Sequence, residues 1–173
     1  RLMSVPNFEQ TTPKLRVLDM SHNFITDFPI VPKTIETLLI NHNSIKEIPY
    51  SLPLLENLKV FGFSNNLINF VPMVPNNIKK IYGSSNRITH FSASNTPYLT
   101  DCILADNYLE TMPQIVRNQI ISYHMNHNKI KTIQLDYVSR NVTIIELVDN
   151  QIQKIPCELF QLPSLERLSL MHN

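Results

Sequence analysis

Histidine is the residue type here best suited to bind a metal or carry a proton. Four of the six histidines, His22, His42, His127 and His172, stand immediately before an asparagine that recurs along the chain. If that recurrence marks successive layers, His22 and His42 lie one layer apart, roughly 5 Å, the spacing of hydrogen-bonded strands. Two imidazoles at that distance could share a transition metal, but zinc wants three or four ligands and nothing nearby supplies them. The expectation is no metal site, with histidine tolerated at the exposed edge of a strand. Other chemistries are poorly served. The only glycines are Gly62 and Gly83, so no phosphate-cradling loop can form, and there is no nucleophile elbow, zincin helix or paired-cysteine motif. No catalytic residue, cofactor or enzyme activity is expected within these residues.

The asparagines themselves carry more information. Asn23, Asn43, Asn66, Asn86, Asn107, Asn128, Asn150 and Asn173 each close one frame: an apolar residue, two variable, an apolar, one variable, an apolar, two variable, then Asn. Leu15, Leu18, Met20 and Asn23 make the first copy, and Leu58, Phe61, Phe63 and Asn66 the third. Alternation of apolar and variable residues across the end of the frame has the two-residue period of a strand with one buried face. The asparagine ends that strand. Its amide can donate to carbonyls and accept from main-chain amides, so stacked copies line these side chains into a ladder.

The connections differ in length. All twelve prolines fall outside the frames, where a missing amide proton costs no ladder bond. The segments from Pro29 to Ile35 and from Pro72 to Ile78 are short, contain a second proline and can hold only extended or polyproline-like chain. Those from Pro6 to Leu15, Pro49 to Leu58 and Pro156 to Leu165 leave room for one short helical turn.

Eight copies of the frame resemble the leucine-rich-repeat family over essentially the whole chain. The short repeats resemble those of bacterial effectors of the YopM and ubiquitin-ligase class; the long ones resemble intracellular signalling scaffolds. Mixed spacing also occurs in leucine-rich-repeat phosphatases and adenylyl cyclases. The resemblance implies an α/β-type solenoid over residues 1–173. It is a horseshoe with a parallel β-sheet on the concave face and extended, polyproline-like, short 3-10 or helical segments on the convex side. It also implies a protein partner rather than a reaction. The resemblance leaves open an effector acting on host proteins, an enzyme whose catalysis lies outside the segment, and an extracellular receptor or adhesion module.

Composition narrows the partners. Net charge is +1 and the fifteen basic residues are scattered, which argues against nucleic acid. No apolar run approaches the roughly twenty residues of a membrane span, so no membrane insertion is expected. Two cysteines cannot form the paired clusters that cap secreted repeat proteins. Cys102 falls at an inward position and Cys157 on a convex connection, so no bridge between them is expected. One glycosylation sequon is present, Asn141, Val142, Thr143. On balance a cytoplasmic setting is expected. Leu2, Val5 and Pro6 read as the tail of a preceding repeat, and Leu165, Leu168 and Leu170 face a missing neighbour. The chain is therefore expected to be a segment of a longer protein that, alone, self-associates through uncapped ends or frays.

Variable positions on consecutive strands form the candidate interaction face. The central column reads Asp19, Leu39, Gly62, Tyr82, Ile103, His124, Glu146, Ser169. One flank carries Val60 and Ile144, and the other carries Val148. The expected partner-binding residues are Leu39, Val60, Tyr82, Ile103, His124, Ile144, Glu146 and Val148, with Tyr82 as anchor because it offers area plus a hydroxyl. The bland alternative is that strand-forming Val, Ile and Tyr drift into variable positions.

Gly83 replaces a core side chain, and Phe63 one coil earlier is large enough to fill its space. Gly83→Leu is expected to overpack the interior and destabilise by roughly 1 to 3 kcal/mol. A neutral or stabilising shift in thermal melting would show the space to be empty.

Overall fold

The structure, a computed structural model, describes residues 1–115 and 119–173. Eight three-residue strands form one sheet in the order β1 to β8: β1 (Val17–Asp19), β2 (Thr37–Leu39), β3 (Val60–Gly62), β4 (Lys80–Tyr82), β5 (Asp101–Ile103), β6 (Ser122–His124), β7 (Ile144–Glu146) and β8 (Arg167–Ser169). Every neighbouring pair is parallel and in register, so Leu38, Phe61, Ile81, Cys102, Tyr123 and Ile145 stack in one inward column. All six are fully buried. The chain is thus a parallel-stranded solenoid whose coils contact only their neighbours.

The convex side follows the connection lengths. After Pro6 comes a short helix, α1 (Phe8–Thr11), whose first amides at Glu9 and Gln10 donate to the Asn7 side chain. Leu52–Leu54 and Cys157–Gln161 are 3-10 turns, the first with proline in its opening positions and the second entered from Pro156. The two-proline connections are extended. Leu135–Tyr137 forms a further 3-10 turn where no proline announces one; the Tyr123 hydroxyl donates to the Tyr137 carbonyl at 2.7 Å and holds it against the core.

The asparagines are tied on both sides. The Asn107 Nδ2 donates to the carbonyls of Leu104 (3.2 Å) and Ala105 (3.1 Å) in its own coil and of Gly83 (3.0 Å) in the coil before. Its Oδ1 accepts from the Ile88 amide at 3.0 Å. Asn43, Asn66, Asn86, Asn128 and Asn173 repeat the pattern, and Asn150 does so with one fewer own-coil bond. Asn23 receives the Leu2 amide at 2.7 Å, as the tail reading of Leu2 requires.

Gly83 is closed in: a Cβ there would press into the Phe63 ring and lie 3.0 Å from Leu104 Cδ2. Phe63 fills the space left by the missing side chain.

A constraint that sequence reasoning passed over sits one residue before each ladder asparagine. His22, His42, Asn65, Ser85, Asp106, His127, Asp149 and His172 all have φ between 52 and 60°. This left-handed region costs an L-residue roughly 1 to 2 kcal/mol, and Asn, Asp and His are the non-glycine types that enter it most readily. Histidine recurs in that column because it suits a backbone conformation. Ser85→Val is therefore expected to lower stability by about 1 to 2 kcal/mol, whereas Ser85→Gly is not. Equal denaturant midpoints for the two variants would contradict this backbone assignment.

Candidate functional site

The face opposite the core presents the variable residues in straight columns. Register pairs Asp19 with Leu39, then Gly62, Tyr82, Ile103, His124, Glu146 and Ser169. Leu39, Val60, Tyr82 and Ile103 are all half-buried by their neighbours. Gly62 lies beneath Leu39, whose Cδ2 would be 2.8 Å from a Cβ at that position. Leu39 thus leans across the glycine toward Tyr82, and the apolar patch is continuous from β2 to β5.

The other half of the face is polar and internally paired. The His124 Nδ1 meets Glu146 Oε2 at 2.8 Å, Asn126 Nδ2 donates to the same oxygen at 3.4 Å, and Arg167 lies 3.5 Å from the other carboxylate oxygen. His124 and Glu146 are therefore presented on this face as a pair. Ile144 and Val148 flank them, both half-buried. On the edge of the apolar patch Lys80 pairs with Asp101 at 3.4 Å.

The histidine pair at the rim is real as geometry. His22 and His42 stack with ring centroids 4.1 Å apart and planes 13° from parallel, and the Asn65 amide approaches His42 Nε2 at 3.5 Å. Among the described residues no group of three or more His, Cys, Asp and Glu side chains is placed to hold a metal. Cys102 is buried in the core, which pushes its thiol up to about 12, and Cys157 is exposed on the convex side.

Exposed apolar residues also gather on the convex side, which the reading of strand positions missed. Ile30, Tyr50 and Met73 occupy the seventh place after a ladder asparagine and are 55%, 82% and 57% exposed. Tyr50 rests against Phe70 at 5.9 Å, and Ile30 lines a cleft of about 360 Å³ with Phe28, Leu52 and Leu54. The repeat of bulky residues at that one place is a signal a scan of the connections could have found. Among the described residues, no helix is long and apolar enough to cross a membrane.

Glu146 is the titratable centre of the polar half. The hydrogen bond with His124 holds its carboxyl below the ordinary 4.5, assisted by charge from His124 and Arg167 and opposed by partial burial. A carboxylate depressed in the folded state contributes stability above its unfolded value and loses it as pH falls through the folded one. Wild type is expected to lose stability on acidification below about pH 4.5 more steeply than Glu146→Gln, read from denaturation midpoints across the acid range. Parallel acid limbs would remove Glu146 from this role.

Known proteins supply the comparison. The description Leucine Rich Repeat matches residues 14–32, which span the first strand and its asparagine. Bovine osteomodulin is 25% identical over 166 residues, covering 94% of this chain and 36% of its own, so the chain spans about a third of that relative's length. Among solved structures, a Shigella effector leucine-rich-repeat domain superposes with a TM-score of 0.78 at 21% identity, over 99% of this chain and 79% of the other. YopM, a leucine-rich effector protein from Yersinia pestis, gives 0.82 at 21% identity, over 95% and 45%. With one matched repeat at residues 14–32, eight in-register strands and an asparagine ladder through the coils, the chain has the fold of leucine-rich-repeat solenoids.

Proposed function

We propose that the chain is a non-catalytic recognition module that grips a protein partner on its concave face. The observation carrying this reading is the continuous patch of Leu39, Val60, Tyr82 and Ile103 on four adjacent strands, with Leu39 lying over Gly62. Such a sheet is rigid before binding, so little conformational entropy is lost on contact. Tyr82 sits between Gly62 and Ile103 with a half-exposed ring and a hydroxyl, the profile of an interfacial anchor. The paired His124 and Glu146, with Ile144 and Val148, supply a polar margin that fixes orientation more than affinity.

The module serves a larger protein as its scaffold or targeting region, and any catalysis resides in other sequence. Two free thiols, one buried and one exposed, support an intracellular setting. The exposed Asn141 in its sequon supports the extracellular alternative, for which a glycan at that residue is the marker.

The repeat region and a Tyr82→Ala, Ile103→Asp variant that melts like it are compared for proteins retained from native cell extract. A partner lost only by the variant, with Tyr82→Ala alone weakening it by about 2 kcal/mol, roughly thirtyfold, is the expected result. A partner unaffected by both substitutions would move recognition to the convex cluster around Tyr50.

A further inference from the structure

The asparagine ladder has a by-product on the concave face. In a parallel sheet successive amides point alternately to the next coil and the previous one. Met125 and His127 donate forward, to Glu146 and Val148, so the Asn126 amide between them points back toward Leu104. The Leu104 carbonyl is already engaged by the side chains of Asn107 at 3.2 Å and Asn128 at 3.0 Å. Ladder asparagines thus take the carbonyl that the next strand's last amide would otherwise use, coil after coil.

The side chain two places before the preceding ladder asparagine can accept from that amide instead. Asn41 Oδ1 accepts from the Ser64 amide at 2.8 Å, Ser64 Oγ from the Ser84 amide at 3.1 Å, and Asn126 Oδ1 from the Val148 amide at 2.8 Å. Ala105 has no acceptor to offer Asn126. The Ser84 hydroxyl makes no such bond to the Ala105 amide, so two amides on adjacent coils donate to no described residue. The Asn41 and Met171 amides are also without an acceptor among the described residues, but each stands alone. Ala105 and Asn126 are half-buried, so a bound carbonyl takes the place of water at these donors in a partly shielded setting, where such a bond is stronger.

Resting on the concave-face reading, we infer that Asn126 and Ala105 form a main-chain donor site that receives neutral carbonyl oxygens from the protein partner. The site borders Ile103 and His124, at the junction of the apolar and polar halves. Charge decides the acceptor: His124 and Arg167 are already paired with Glu146, and Lys80 with Asp101, so none of these cations is left to recruit a carboxylate and an uncharged carbonyl is the matching acceptor. The methyl group of Ala105 leaves the room that Asn41 and Ser64 fill in their own coils.

The test needs no identified partner. Amide proton shifts of the repeat region are followed by NMR during titration with N-methylacetamide, a neutral carbonyl, and in parallel with acetate. Asn126 and Ala105 are expected to move downfield with N-methylacetamide more than any other amide of the face. In Ala105→Asn, and in Ala105→Ser should the first fold poorly, the new side chain accepts from Asn126 as Asn41 does from Ser64. The Asn126 response is then lost and the melting temperature does not fall. No selective movement, or an undiminished response in the variants, overturns the inference. A larger response to acetate makes this an anion site and overturns its neutral character. Because the Tyr82 and Ile103 substitutions leave these amides intact, failure here is separable from failure of the concave-face reading.

Discussion

Everything in this solenoid depends on a carboxamide that bonds in two directions at once. A buried asparagine could be a liability, since an amide taken from water without partners costs several kcal/mol. Here each one closes the strand end of its own coil with its nitrogen, and each after Asn23 reaches the preceding coil with both nitrogen and oxygen. Aspartate lacks the donors, and glutamine is one methylene too long to serve carbonyls two and three residues behind it. The bond to the preceding coil makes the ladder a register device as well as a source of stability. It aligns the inward column from Leu38 to Ile145 and, by the same act, the outward column that Tyr82 shares with Ile103.

The same demand explains the strain beside it. Turning the chain sharply enough to aim each carboxamide inward drives the preceding residue to positive φ. Histidine, asparagine, aspartate and serine fill the position although glycine would be less strained. They also form contacts between coils: His22 stacks on His42, and His127 meets Asp149 at 3.2 Å.

Much of this architecture was legible in the residues. A two-residue alternation ending in asparagine fixes which side chains point inward, and exclusion of proline from the frames locates the convex side. The packing of Phe63 against Gly83 could be anticipated because both lie at equivalent places one coil apart. The left-handed column shows in the sequence only as a restricted set of residue types, which tolerance of histidine at a strand edge fits equally well. The pairing of His124 with Glu146 depends on side-chain reach across coils, which a column of letters does not contain. The convex cluster around Tyr50 is obscured in the sequence because connections of unequal length hide positional equivalence. Nothing in the frame constrains the outward residues, so the sequence period that reveals the face is silent about what the face holds.

Because each coil touches only the coils before and after it, the unit of heritable change is the coil itself. Excising the twenty-odd residues from one asparagine to the next joins two surfaces that were already built to meet a neighbour of the same kind. The interior survives such an event, but the outward residues on either side of the junction meet new neighbours; loss of the β5 coil, for example, would set Tyr82 beside His124. A lineage of such solenoids can therefore change its outward surface by altering the number of coils, without first exploring point substitutions in the core.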